Sequence, residues 1–388
     1  MLEIIRIERK RILSIRVFLV FLAIIALFSA YSVCSVLKSY EVPGSTEIAV
    51  TWYENLSHAK SDFPLENQID REFLSLMRQH EGEFIYADER NLAELVAANY
   101  GGKSIRDLSD EDIGSFYLRR LSNIRTMLEE SQAIRYTPEE IGRFIQNAEQ
   151  VSEIQLGYAE GWKSLNDGMD VFVPVLLILI FVLMLPLFGM EPKSNMAELY
   201  RSTKNGKAPL DYARIFAAYI IGIFLYLSGM LLHFVIKMTP FGLKGGNQCI
   251  QGNVKTFFSL YNITNFQQFL LNVMIGLVAL LFAVSFLLLV TVVMEQIMTS
   301  AVVAVLFWIL LLLFEQAHLY PVNHYFANFM PLRMTSFSHY YVGNEIYRVF
   351  GNSLSCMAWS MMMSVLIAVM MLASAIILEK RKRNRGLY

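Results

Sequence analysis

Residues 191–214 read EPKSNMAELYRSTKNGKAPLDYAR, a polar stretch set between two apolar runs, Val171–Met190 and Ile215–Ile236. Each run is long enough for a helix to cross a hydrocarbon core of ~30 Å. The stretch carries Lys193, Arg201, Lys204, Lys207 and Arg214 against Glu191, Glu198 and Asp211. A short loop with excess positive charge between two spans is expected to face the cytoplasm. Met196, Leu199 and Tyr200 stand at i, i+3 and i+4, the spacing of one apolar helical face. Asn205-Gly206 breaks that helix, and Pro209 with Asp211 suits the start of a second one entering the membrane. Such a helix can take a push from a partner; the same residues also suit a plain connector with positive-inside charge.

Working outward, 55% of the residues are hydrophobic and 17% charged, with mean hydropathy +0.42. That composition excludes an ordinary water-soluble globular protein. Residues 1–16 interleave Ile4, Ile5, Ile12 and Ile15 with five Arg and Lys, the pattern of an amphipathic helix on the inner membrane surface. Residues 17–37 follow without a charge and are expected to be an uncleaved first span. A signal peptide would have a shorter apolar core and a small-x-small cleavage site. Further spans are expected at 169–190, 215–236, 269–294, 297–314 and 356–378, with an outer loop at 237–268 and a basic cytoplasmic tail at 379–388. The spans read as free of charged residues well inside them, which disfavours an ion-coupled carrier.

Residues 38–168 differ from the rest. From Lys38 to Asp167 there are 13 Lys and Arg against 24 Asp and Glu, a balance of −11. The segment is expected to be an extracytoplasmic helical domain. Ser109 precedes Asp110, Glu111 and Asp112, a cap followed by acids that the helix dipole favours. Ile113, Phe116, Tyr117, Leu121, Ile124 and Leu128 continue at helical steps. Thr137-Pro138-Glu139-Glu140 combines an N-cap, Pro at the first helical position and a capping-box Glu. Gly101-Gly102 is expected to separate helical groups. Glu139-Glu140-x-x-Arg143 resembles the paired-Glu motif of an intramembrane protease family. Its spacing is one residue short and no intramembrane His motif follows, so chance explains it.

Residues 315–355 hold His318, His324 and His339 among Tyr320, Tyr325, Phe326, Phe329, Phe337, Tyr340 and Tyr341. No two of these His stand at i,i+3 or i,i+4, so an interfacial aromatic segment is expected rather than a metal site. His233 reads as a hydrogen-bonded structural residue, and Glu295 as the stop of a span. Among Cys34, Cys249 and Cys356, one disulfide between the last two is conceivable. Trp162 reads as an interfacial anchor. No G-x-x-x-x-G-K-[ST] loop occurs, so this chain is not expected to hold nucleotide or act as an enzyme by itself.

The central loop resembles the one that follows the second span in type 2 ABC transporter permeases, especially those of Gram-positive bacteria. The resemblance rests on Phe188, Glu191, Met196, Leu199, Ser202, Thr203, Lys204 and Gly206, with Lys207 where Arg is usual and Ala213-Arg214 for Ala-Lys. Tyr158-Ala159-Glu160-Gly161-Trp162 is also similar to those permeases. The resemblance implies an all-α membrane protein of six spans with a large helical extracytoplasmic domain between the first and second. It implies N- and C-termini in the cytoplasm of a bacterial cell and short helices at 315–355 dipping into the outer leaflet. Residues 191–214 would then be a coupling loop. Glu191, Met196, Leu199, Tyr200, Ser202, Thr203, Lys204, Gly206 and Lys207 would serve it, with Met196, Leu199 and Tyr200 filling a groove of a separate ATPase. ATP-Mg would sit in that ATPase and no cofactor in this chain. The expected partners are the ATPase, a second or homologous permease and the bilayer, with no nucleic acid. The acidic domain would draw a cationic peptide by its field, so an antimicrobial or other peptide is the favoured cargo. A non-transporting sensor or scaffold acting through that domain is the alternative.

Overall fold

The structure is a computed structural model, and it describes residues 14–38, 54, 56–57, 67–80, 87–131, 134–151, 153–185, 208–294, 296–317 and 320–384. Six described helices are long and apolar enough to cross a membrane. They are α1 (Ile15–Leu37), α7 (Glu160–Met184), α8 (Ala208–Phe241), α9 (Asn265–Met294), α10 (Ile297–Ala317) and α14 (Cys356–Asn384). Between α1 and α7 lies a head of α2 (Arg71–His80), α3 (Ala87–Asn99), α4 (Asp110–Gly114), α5 (Phe116–Glu129) and α6 (Pro138–Glu149). A cap of three short helices, α11 (Tyr320–Tyr325), α12 (Pro331–Met334) and α13 (Ser338–Val342), precedes α14.

The chain is predominantly helical, but not wholly. Two antiparallel two-stranded ladders join β1 (Asn67–Gln68) to β2 (Gln155–Leu156) and β3 (Ile346–Val349) to β4 (Asn352–Ser355). The second is a hairpin whose turn places Phe350 at φ 49 and Gly351 at φ 81. Two successive left-handed residues match the twist of the flanking strands.

Local chemistry accounts for the head. The Ser109 hydroxyl accepts from Asp112 N, and the Thr137 hydroxyl from Glu140 N; both close capping boxes, with Pro138 in the first turn. The helix expected to run on from Ser109 is interrupted at Ser115, which separates α4 from α5. Gly101 and Gly102 end α3 with φ of 66 and 90, and Gly102 N–H donates to the Ala97 carbonyl at 2.7 Å, satisfying an end-of-helix acceptor. Leu74, Leu92, Leu95, Val96, Ile105 and Ile154 form the head core, together with Phe257 from the connection between α8 and α9. Residues expected to be a plain loop therefore belong partly to the head.

Arg120 fastens that connection. Its side chain is fully buried, and it donates to the carbonyls of Phe257 at 2.9 Å, Ser259 at 3.0 Å and Ala148 at 3.4 Å. Burial lowers its pKa to about 10, so the guanidinium stays charged at neutral pH.

In the bundle, α9 packs against α7, α8, α10 and α14. Its apolar window is 67% buried, against 22% for α1, 22% for α10 and 17% for α14. A helix apolar on all sides and enclosed by others is a core helix. The peripheral helices leave large apolar side chains exposed, among them Leu27, Leu306, Leu313 and Val369, as suits a lipid-facing surface or a further helix.

The helices overrun the apolar stretches of the sequence. α7 begins at Glu160 rather than in the span expected at 169, and α8 continues to Phe241, beyond the expected end at 236. Helical backbone satisfies its own hydrogen bonds whatever the side chains, so a charge need not stop it where neighbours supply polar partners.

Candidate functional site

Two buried polar junctions connect the head with the bundle. The first, the neck, gathers the ends of α1 and α8, the start of α7, α3 of the head and the turn at 253–255. His233 and Lys237 are one turn apart on α8 and so share a face. Lys237 is 1% exposed; its Nζ donates to Ser164 Oγ at 2.7 Å and to the Ser32 carbonyl at 3.4 Å. One turn deeper, His233 is fully buried and stacked on Phe172 with ring centroids 3.8 Å apart.

The Ser29 hydroxyl donates to the Ile25 carbonyl at 2.7 Å and lies 2.8 Å from His233 Nδ1. With its one proton already committed, Ser29 accepts from the ring, which places a proton on Nδ1. His233 is thus hydrogen-bonded structure, as its sequence setting suggests. Lys237 lies just beyond the span expected at 215–236, in the last turns of the candidate span Tyr212–Phe241, at the edge of the apolar stretch rather than well inside it.

Beside Lys237 lies a cavity of about 440 Å³, lined by Ser32, Ser164, Gly168, Asn253 and six ionisable side chains. Three are acidic, Glu94, Glu160 and Asp167, and three basic, Lys163, Lys237 and Lys255. Asp167 accepts from Asn253 Nδ2 at 3.1 Å and pairs with Lys255 Nζ at 3.0 Å. Trp162 sits just below, donating to the Leu243 carbonyl at 2.9 Å and packing on Phe234, Phe266 and Phe269. It is 5% exposed, an internal packing residue rather than a surface anchor.

The second junction is the cap. Tyr320, His324, Tyr347 and Trp359 form a stacked column with successive centroid separations of 5.2, 4.3 and 5.8 Å. His324 Nδ1 is paired with Glu345 Oε1. The Asn328 amide donates to Glu345 Oε2 at 3.0 Å and to Tyr347 Oη at 2.8 Å, and lies 3.4 Å from Cys356 Sγ. Tyr347 Oη donates to the His324 carbonyl at 2.5 Å. His339 pairs through Nδ1 with the Ser336 carbonyl, and its Nε2 lies 3.9 Å from Cys356 Sγ. Burial lowers the His339 pKa to about 3, so the ring is neutral at ordinary pH.

These are ligand-type residues, yet the Asn328 amide lies among them, and no metal-binding group of three occurs among the described residues. Cys34, Cys249 and Cys356 are free thiols, so the conceivable Cys249–Cys356 disulfide is not formed.

Head and cap are clamped together. Arg348 on β3 grips Glu140 on α6 through Nε at 3.0 Å and Nη2 at 2.7 Å. Arg143 donates to Ser353 Oγ at 3.0 Å, and Tyr136 to the Asn344 carbonyl at 2.9 Å. The Arg348 hydrogen bonds are the main reason the Glu140 pKa falls to about 2. The Glu139-Glu140-x-x-Arg143 pattern is thereby explained structurally: Glu140 closes a capping box and the clamp, and Arg143 meets the hairpin.

All the residues expected to couple to an ATPase, Glu191, Met196, Leu199, Tyr200, Ser202, Thr203, Lys204, Gly206 and Lys207, lie outside the described residues. So do Glu295, His318 and residues 1–13 of the expected amphipathic helix. Sequence reasoning passed over Lys237, Ser164 and Asp167 at the neck and Asn328 and Glu345 in the cap. The available signal was helical spacing: His233 and Lys237 are four apart, and Ser29 and Ser32 three apart. No family model, curated protein or solved structure matches the chain.

Proposed function

We propose that this chain is the membrane subunit of an ABC exporter, worked by a separate ATPase and paired in the membrane with a second permease. The observation that carries the reading is where the described ends of α7 and α8 stand relative to the head. α7 leaves the head at Glu160, and α8 returns to it at Lys237–Phe241, where a Cβ on Gly161 would lie 2.6 Å from the Gly242 carbonyl oxygen. The connection between Met184 and Ala208 therefore joins the helix ends remote from the head. A device taking work on one membrane face and presenting a domain on the other needs this separation.

The head's acidic balance and the basic residues of the connection and of the tail at 380–385 support a head outside and a coupling loop inside. In this reading the partner's closure pushes a helix around Met196–Tyr200, and α7 and α8 carry the movement to the neck and cap. The acidic head favours a cationic cargo such as a peptide. The exposed apolar faces of α1, α10 and α14 suit lipid and a second permease.

The test is a mild-detergent pull-down of the tagged full chain from its own cells, scored for a co-purifying ATPase. The expected result is an ATPase that is retained by the native chain and lost on Leu199→Ala with Tyr200→Ala. Retention undiminished in the double variant overturns the coupling assignment. Absence of any ATPase overturns the exporter reading and favours a sensor acting through the head.

A further inference from the structure

We infer that the neck cavity is a binding site for a small carboxylate that also carries an ammonium group, an amino acid or the C-terminal end of a short peptide. The inference stands on the cavity alone and holds whether or not an ATPase drives the chain.

The first observation is Lys237. A charged side chain buried in a candidate membrane helix is expensive, and such residues persist at substrate and ion sites. Lys237 is 1% exposed, and its named hydrogen-bond acceptors are neutral oxygens, Ser164 Oγ and the Ser32 carbonyl. An ammonium has three N–H donors, and only the Ser164 contact is short. Glu160 and Asp167 lie near enough to offset its charge, and with two acceptors named the ammonium keeps a third N–H for a ligand.

The second observation is room at that ammonium. Gly168, in the middle of α7, leaves open the space facing Lys237: a Cβ built there would come within 3.9 Å of both Lys237 Nζ and Ser32 Oγ. Gly inside a helix is less favourable than Ala, a cost that is offset if the space is used. The cavity of about 440 Å³ exceeds many times the volume one water needs. An ammonium with the Ser164 hydroxyl beside it and the Ser32 hydroxyl bordering the same space is a carboxylate-recognising set, since each hydroxyl and N–H can donate to an oxyanion.

The third observation is the opposite wall. The head contributes Glu94 from α3, and Glu160 lies at the start of α7. A simple anion would meet these carboxylates unfavourably. A molecule with an ammonium at its other end would be complemented at both. With Asp167 paired to Lys255, Lys163, Lys237, Glu94 and Glu160 remain around the cavity, charges of both signs that match a zwitterion rather than a ligand of single charge.

The experiment titrates the purified full chain in nanodiscs with glycine, triglycine and triglycine amide, followed by calorimetry and ligand-observed magnetic resonance. Glycine or triglycine is expected to bind and the amide, lacking the carboxylate, to bind at least about tenfold more weakly, as removal of one partner of a buried charge pair does. Tighter binding of triglycine than glycine assigns a peptide end, and the reverse assigns an amino acid. Lys237→Met is expected to weaken binding by a similar factor. Should that variant fail to fold, Gly168→Val keeps the charge and fills the space, and it too should abolish binding. Absence of binding to the native chain at millimolar ligand overturns the proposal. So does equal binding of triglycine and its amide, or full binding to Gly168→Val; Lys237 would then be a strut between α1, α7 and α8.

Discussion

Lys237 at the neck and Glu345 in the cap are both ionisable groups held where the head meets the apolar helices, and their surroundings differ in kind. Both oxygens of Glu345 are engaged, His324 on one and the Asn328 amide on the other, with Tyr347 beyond it and Cys356 Sγ 3.7 Å away, although Asn328 Oδ1 has no partner and a cavity of about 510 Å³ runs along His324 and Tyr347. Around Lys237 the near contacts are two serines, with Gly168 holding space open beside a charge-lined cavity. A closed network of buried polar groups fixes a geometry, because each group depends on the others for satisfaction. An open one has donors to spare. The comparison separates a joint, the cap, from a vestibule, the neck.

The difference breaks most sharply under single substitutions. Asn328→Ala removes the amide that bridges Glu345, Tyr347 and Cys356, and leaves a cavity with an under-satisfied carboxylate. The expected cost is about 2–4 kcal/mol, read as a fall of several degrees in the thermal midpoint of the purified protein. Lys237→Met in the same assay should cost less, since methionine keeps most of the side-chain volume and the two acceptors it leaves, Ser164 Oγ and the Ser32 carbonyl, belong to residues that line the cavity. Equal losses from both substitutions would erase the distinction between joint and vestibule.

A smaller effect sharpens the role of the clamp. The Glu140 pKa is lowered from its ordinary value of 4.5 to about 2, chiefly by hydrogen bonds from Arg348. A carboxylate with a depressed folded pKa contributes stability that is complete above the unfolded value and is lost as pH falls through the folded one. The clamp should therefore hold at pH 5 and above and release as pH falls from about 4.5 towards about 2. Hydrogen exchange at β3–β4 should rise over that window. In Glu140→Gln it should already be raised at neutral pH and show less change on acidification. An unaltered acid profile in Glu140→Gln would assign the release to another group.

What could be read from the chain in advance was local. Ser109, Thr137-Pro138 and Gly101-Gly102 act on backbone groups within a few residues, so their pattern is written where they act. The six apolar helices were legible for the same reason, although their ends were not. Lys237 marks the end of an apolar run but not of a helix, because Ser32 and Ser164, distant in sequence, give it hydrogen-bond acceptors. Arg120 lay on the stripe of Phe116 and Ile124, spaced four residues to either side, and that stripe could have marked it as buried. Its carbonyl partners at Phe257 and Ser259 belong to a separate connection and carry no sequence mark. The β3–β4 hairpin turns on Phe350-Gly351 instead of the usual Asn-Gly or Asp-Gly, so the common hairpin signal is absent. The coupling loop was read by resemblance, and its residues lie outside those the structure describes.

In the proposed topology the head lies outside the membrane and residues 191–207 on its opposite face. The most direct measurement labels intact cells with a membrane-impermeant maleimide, on a background lacking Cys34, Cys249 and Cys356. Glu130→Cys, exposed in the head, should label from outside. Lys193→Cys should label only after the membrane is opened. Labelling of both positions from outside, or of Lys193→Cys alone, would contradict the account.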